Sequence, residues 1–154
     1  MKRHTIRSGI LLVALFFSTG LVAAEKGVPK TETDPDDRGI RAAIQNYLDG
    51  TTFNDTELIQ SAFYDDARLF LSHPEREIWI LPIGEYLGFF ADGEKGKSNG
   101  RVGKILSIER SNDIATAKAE ISSETNDARY IDLFLLKRIQ GEWKIISKAA
   151  TRTD

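Results

Sequence analysis

The chain has 154 residues, with 21 Lys and Arg against 23 Asp and Glu, and no cysteine. The formal charge of −2 leaves no basic surplus to neutralise phosphates, which argues against nucleic acid as a partner. Without cysteine there is no disulfide, no thiolate metal site and no thiol chemistry.

Residues 1–24 carry Lys2, Arg3 and Arg7, then the apolar run from Gly9 to Phe17, then small residues ending in Val22-Ala23-Ala24. A basic start, a short apolar centre and small residues at the end have the order of a secretory signal peptide. The run is too short to span a bilayer, which needs about 20 apolar residues, so no stable membrane span is expected. The expectation is export, to the periplasm or beyond, after cleavage near Ala24. The remaining 130 residues would hold 18 basic and 23 acidic side chains, enough chain for one domain with an unstapled core. Residues 25–36 read as a flexible leader, with Pro29 and Pro35 and no apolar periodicity, and residues 37–154 as the domain.

A helix should follow Asp34, Asp36 and Asp37, which suit a helix start. Ile40, Ala43, Ile44, Tyr47 and Leu48 recur at helical spacing, and Gly50 is the expected stop. Asn54-Asp55-Thr56-Glu57 opens a second, short helix with Leu58, Ile59, Ala62 and Phe63 apolar. Two short strands, residues 67–71 and 77–81, flank a turn at His73-Pro74-Glu75-Arg76. Pro82 can open a third helix over residues 83–91. Residues 92–103, with four glycines and two lysines, read as a mobile loop.

The rest reads as sheet. Residues 104–111 and 114–123 flank the two-residue turn Asn112-Asp113. In that register Leu106 and Ile108 share a packed face with Ala115, Ala117, Ala119 and Ile121. The three alanines leave room for a helix or a cavity. The last hairpin turns at Gln140-Gly141 and pairs Arg138 with Trp143, Leu136 with Ile145 and Phe134 with Ser147. One face carries Tyr130, Asp132, Phe134, Leu136, Trp143 and Ile145. The other carries Ile131, Leu133, Leu135, Ile139 and Ile146, rimmed by Lys137, Lys144 and Lys148. Two apolar faces suggest a homodimer formed through this C-terminal sheet.

Three helices followed by a long antiparallel sheet is an α+β order. In the order and spacing of Ile44 to Gly50, Leu58 to Leu71, Gly103 to Glu109 and the Tyr130 to Lys148 hairpin, the chain resembles the nuclear transport factor 2-like superfamily. This is the cone fold of ketosteroid isomerase and the SnoaL-like polyketide cyclases. Within it, the chain is most similar to the putative lumazine-binding family. The resemblance implies a curved antiparallel sheet wrapped round about three helices, a pocket at the wide end and frequent dimers. A pteridine-like ligand is implied by the family's name alone.

Asp132 is the leading site candidate, as a carboxylate on an apolar face. It is either a proton carrier or ligand anchor, or a structural carboxylate held by a hydroxyl, an arginine or a helix terminus. Tyr47 on the first helix would face it, either as a donor into the pocket or as a core tyrosine. Phe63, Trp79, Tyr86, Tyr130 and Phe134 are the expected ligand-packing residues, and Tyr86, Phe89 and Phe90 share a helical face that could form a lid. His73 sits in a turn and reads as a loop histidine, and Asp65-Asp66 as turn acids rather than cation ligands. No metal site and no cofactor are expected. The expected function is exported, non-catalytic binding of a small apolar or planar molecule. One alternative is a cofactor-independent isomerase, cyclase or dehydratase, with Asp132 moving the proton and Tyr47 stabilising an oxyanion. The other is a dimeric interaction module with a filled core.

Overall fold

The computed structural model describes residues 34–153. The expected signal and residues 25–33 of the leader lie outside the described residues. Helix α1 runs Pro35–Thr52. Asp34 caps it, accepting the Asp36 N–H at 2.9 Å, and Pro35 takes the first helical turn, where its missing N–H costs nothing. The helix therefore starts two residues inside the expected leader. Its buried stripe is the predicted one, with Ile40, Ile44 and Tyr47 fully buried. Gly50 does not stop the helix. It lets the next helix, α2 (Thr56–Ala62), come close: a Cβ at residue 50 would stand 2.6 Å from Ile59 Cγ1 and 2.8 Å from the Ile59 nitrogen. Asp55 caps α2 by accepting the Leu58 N–H at 3.0 Å.

Six strands follow, β1 (Phe63–His73), β2 (Arg76–Pro82), β3 (Arg101–Ser111), β4 (Ile114–Ser123), β5 (Arg129–Ile139) and β6 (Glu142–Arg152). The short helix α3 (Ile83–Leu87) lies between β2 and β3. The sheet order is β2-β1-β6-β5-β4-β3. The fold is α+β as expected, but the sheet is mostly rather than wholly antiparallel, because β1 runs parallel to β6. The reason lies in α2, which ends where β6 begins: Phe63 pairs with Ile145, and β1 then runs alongside β6 in the same direction.

Helix α3 is shorter than its apolar pattern suggests. After Leu87 the chain tightens into i→i−3 bonds, Phe89 N–H to the Tyr86 carbonyl at 3.2 Å and Phe90 N–H to the Leu87 carbonyl at 3.0 Å. The glycine-rich segment that follows is tied to the α1–α2 junction. Gly96 N–H bonds the Phe53 carbonyl at 2.7 Å, and Lys95 bridges Asp55 and Glu57. Strand β3 takes over at Arg101, two residues before the expected end of that loop.

Both hairpins turn where predicted, with positive φ at Asn112, Gln140 and Gly141. Both contain a bulge that alternation cannot show. In β3, Ile105 pairs with Ala119 and Ser107 with Lys118, which leaves Leu106 as the extra residue. Ile105 and Ile108 therefore pack on the core, and Leu106 is exposed, contrary to the expected facing. In the last hairpin, Leu136 pairs with Ile145 but Leu135 pairs with Ser147, which leaves Ile146 extra. Beyond that point Phe134 faces Lys148 instead of Ser147, and Asp132 faces Ala150. The bulge turns Lys148 from the outer rim into the interior, because side chains alternate with a period of two.

The start of α1 is stitched to the sheet by charge. Arg110, on β3, contacts Asp34 at 2.5 Å, Asp36 at 3.1 Å and Asp37 at 3.3 Å. Asp36 also receives Arg138 at 2.9 Å and the Trp143 indole N–H at 3.1 Å. The Trp143 bond lowers the Asp36 carboxyl below its ordinary value of 3.8; burial opposes this, and Arg138 and Arg110 add to the lowering. A carboxyl depressed by folding contributes stability that is fully present above its unfolded value and is lost as pH falls through the folded value. In urea titrations from pH 6 down to pH 2, D36N is expected to lose less stability than the wild type below about pH 4. Parallel pH profiles for the two proteins would contradict this.

Candidate functional site

The site is assembled by three elements that sequence order keeps far apart. Helix α1 supplies Tyr47, β5 supplies Asp132 and β6 supplies Lys148. Asp132 pairs with Ala119 and Phe134 with Ala117, an alignment of the two hairpins that the sequence leaves open and that puts Asp132 on the alanine face. The small alanine side chains leave space that α1 fills, with the Tyr47 ring edge-on to Phe134 at 5.3 Å. The Tyr47 hydroxyl donates to Asp132 Oδ2 at 2.6 Å, and Lys148 Nζ donates to the same oxygen at 2.9 Å. The Tyr86 hydroxyl from α3 stands 3.2 Å from that of Tyr47 and extends the network.

Asp132 and Lys148 form a buried ion pair, with each side chain only 3% exposed. Such a pair persists only when its geometry and further contacts offset desolvation. Here the ammonium also lies 5.3 Å from the ring centroids of both Tyr47 and Tyr86, where aromatic faces attract cations. Burial pushes the Tyr47 hydroxyl well above its ordinary range and the Asp132 charge adds to that, so Tyr47 remains a donor at any physiological pH.

This network forms the floor of a cavity of about 320 Å³, reached by Asp132, Lys148 and Tyr86. Trp79, Phe89 and Phe90 form its walls, joined by ring contacts of 5.5 Å between Trp79 and Phe89 and 5.4 Å between Tyr86 and Phe90. Arg101, Tyr130 and Arg152 also line it, with Leu71, Ser72 and Ala150. The volume lies at the lower end of the range for small-molecule pockets, and aromatic walls over a few polar groups fit their usual composition.

Of the expected ligand-packing residues, Trp79, Tyr86, Tyr130 and Asp132 line the cavity. Tyr47 stands behind Asp132 and acts through its hydroxyl. Phe63 and Phe134 do not reach the cavity; they pack edge-on against the Tyr47 ring, at 5.7 and 5.3 Å. Phe89 and Phe90 reach the cavity from the tightened turns rather than from one helical face, and Phe89 is half exposed. His73 is half-buried, its ring 5.2 Å from that of Trp79, so it braces a wall rather than entering the site. Asp65 accepts from Gln60 and is exposed, as is Asp66. Among the described residues, no group of three or more His, Cys, Asp or Glu is placed to hold a metal ion.

Sequence reading missed the three cations that line the cavity, Arg101, Lys148 and Arg152. Lys148 was placed on the outer rim, since nothing in the alternation marks the Ile146 bulge. Arg101 was placed in the loop, although Gly100, with φ of +84°, marks the turn that launches β3 into the site.

Helices α1 to α3 against this sheet order, with a cavity floored by β5 and β6, give the nuclear transport factor 2-like fold. The family profile described as "Putative lumazine-binding" matches residues 35–149. The chain belongs to that family. The match covers α1 through most of β6 and includes Tyr47, Asp132 and Lys148. Solved structures similar to this family member include an NTF2-like protein of unknown function from Shewanella baltica OS155. It is 19% identical, with 77% of this chain and 94% of that chain covered and a TM-score of 0.69. An NTF2-like protein of unknown function from Methylobacillus flagellatus KT is 23% identical, with 77% and 93% covered and a TM-score of 0.68. A ketosteroid isomerase-like protein from Erwinia carotovora atroseptica SCRI1043 is 18% identical, with 79% and 98% covered and a TM-score of 0.57. At these identities the likeness is one of fold. No curated protein matches the chain.

Proposed function

We propose that the protein binds a small, flat, mostly apolar molecule in the cavity between α3 and the sheet, without transforming it. The observation that carries this reading is the aromatic-walled cavity of about 320 Å³ over the Tyr47–Asp132–Lys148 network. Rings pack against the flat body, and the polar floor sets its orientation. The two contacts on Asp132 Oδ2 favour holding over proton abstraction, since the carboxylate is already engaged by an ammonium and a hydroxyl. The hydroxyl pair of Tyr47 and Tyr86 supports the enzymatic alternative, because it could stabilise charge on a substrate oxygen. Two-ring heterocycles, lumazine among them by the family's name, fall within the proposed ligand class.

The amino-terminal pattern of residues 1–24 supports action outside the cytoplasm. The exposed Leu133 and Leu135, beside exposed Ile114, support a second copy docking on the outer face of β4 and β5. Native mass spectrometry of the protein recovered from an expressing host tests the binding reading. An organic adduct that leaves on mild activation, and is lost in W79A, is the expected result. A bare chain that also fails to bind lumazine and naphthalene derivatives by calorimetry would overturn it.

A further inference from the structure

We infer that the cavity's ligand carries a carboxylate, and that Arg101 is the residue that receives it; this rests on the binding reading above. Arg101 enters the site from the first position of β3, and its guanidinium lines the cavity. Its backbone is fixed on both sides, the N–H bonding Asn99 Oδ1 at 3.1 Å and the carbonyl accepting from Thr52 at 3.1 Å. The guanidinium is differently placed. Its Nε is shut off from solvent without a hydrogen-bond partner, the one such buried side-chain atom among the described residues. The contact it does make is with the Phe90 ring, whose centroid lies 5.9 Å from Cζ.

Other interior cations of this protein are matched by carboxylates. Arg110 has Asp34, Asp36 and Asp37, and Lys148 has Asp132. No carboxylate of the described residues forms an ion pair with Arg101. A buried donor without an acceptor is costly, and each orphan in a native structure calls for an explanation. An aromatic face offsets part of that cost but accepts no N–H bond in the plane of the guanidinium. The in-plane donors form a fork that matches a carboxylate with two parallel bonds.

The charge count agrees. Among the lining side chains, Lys148, Arg101 and Arg152 are cationic and Asp132 alone is anionic. Such a lining favours an anionic ligand over a neutral one. The aromatic walls and the small volume call for a flat ring body, so the class is the aromatic carboxylates.

Calorimetric titration of the protein with 2-naphthoate and with its uncharged analogue 2-naphthamide tests this. The wild type is expected to bind the carboxylate at least tenfold more tightly. In R101M the ratio of the two affinities should fall below about threefold. R101K, which keeps the charge and loses the fork, should keep part of the preference. Equal affinity of the wild type for both probes overturns the inference and leaves the binding reading standing; so does a preference that survives in R101M. Failure of both probes to bind the wild type overturns both. The wild-type comparison decides the matter even if R101M does not fold.

Discussion

The K148M variant is expected to lose about 3–5 kcal/mol of stability in urea denaturation at pH 7, because it leaves the Asp132 carboxylate buried without its counter-charge. The ion pair is 3% exposed on both sides, so water does not take over the missing role. Adding D132N should recover most of the loss. The neutral amide no longer needs an ammonium, and its oxygen can still accept from Tyr47, which lies 2.6 Å from the native carboxylate. This is the pattern expected of a buried pair whose net worth is small but whose breakage is expensive. A loss under about 1 kcal/mol in K148M would mean that the ammonium does not hold the carboxylate. In that case the polar floor of the cavity is misdescribed. A double mutant no more stable than K148M would place the cost in packing around the lysine stem instead.

W143A should lose a similar amount, about 3–5 kcal/mol in the same assay, as large-to-small replacements of buried Trp do. Trp143 is 6% exposed and sits where the last hairpin meets the first turns of α1. Residue 39 must be glycine for this contact, since a Cβ there would lie 2.8 Å from Trp143 Cδ1. The substitution opens a cavity and also removes the strongest influence lowering the Asp36 carboxyl. W143F separates the two effects. It keeps most of the ring packing and loses the N–H, so its smaller deficit should narrow further in acid, once Asp36 is protonated in both proteins. A deficit in W143F that does not change with pH would detach the indole bond from the acid response.

The residues that carry these predictions were visible in the chain to unequal degrees. The stripe of Ile40, Ile44 and Tyr47 on α1 was legible because helical spacing is local and its burial needs no knowledge of partners. The caps at Asp34 and Asp55, and the two-residue turns of both hairpins, were legible for the same reason. Asp132 stood out as a carboxylate on an apolar face, and the structure shows that face turned inward. Gly50 was misread because a glycine near a helix end signals a stop in sequence, whereas here it answers to the proximity of Ile59. Phe63 and Phe134 were grouped with the cavity because alternation gives the face of a residue but not its depth beneath that face.

The sequence by itself determined the α+β order, the helix starts, the hairpin turns, the inward placement of Tyr47 and the apolar company of Asp132 on its strand. Each of these follows from backbone preference or from a hydrophobic period within a single element. Only the tertiary structure decided the parallel pairing of β1 with β6, the inward turn of Lys148 and the entry of Arg101 into the cavity. A bulge at Ile146 reverses the facing of every residue after it in β6, and no residue in that strand announces it. Strand partners are chosen by how α1 and α2 lie on the sheet, a long-range balance of packing that local pattern does not encode. The charge balance of the site arises from both. Its one carboxylate could be read in the chain, and its three cations had to be brought there by the fold.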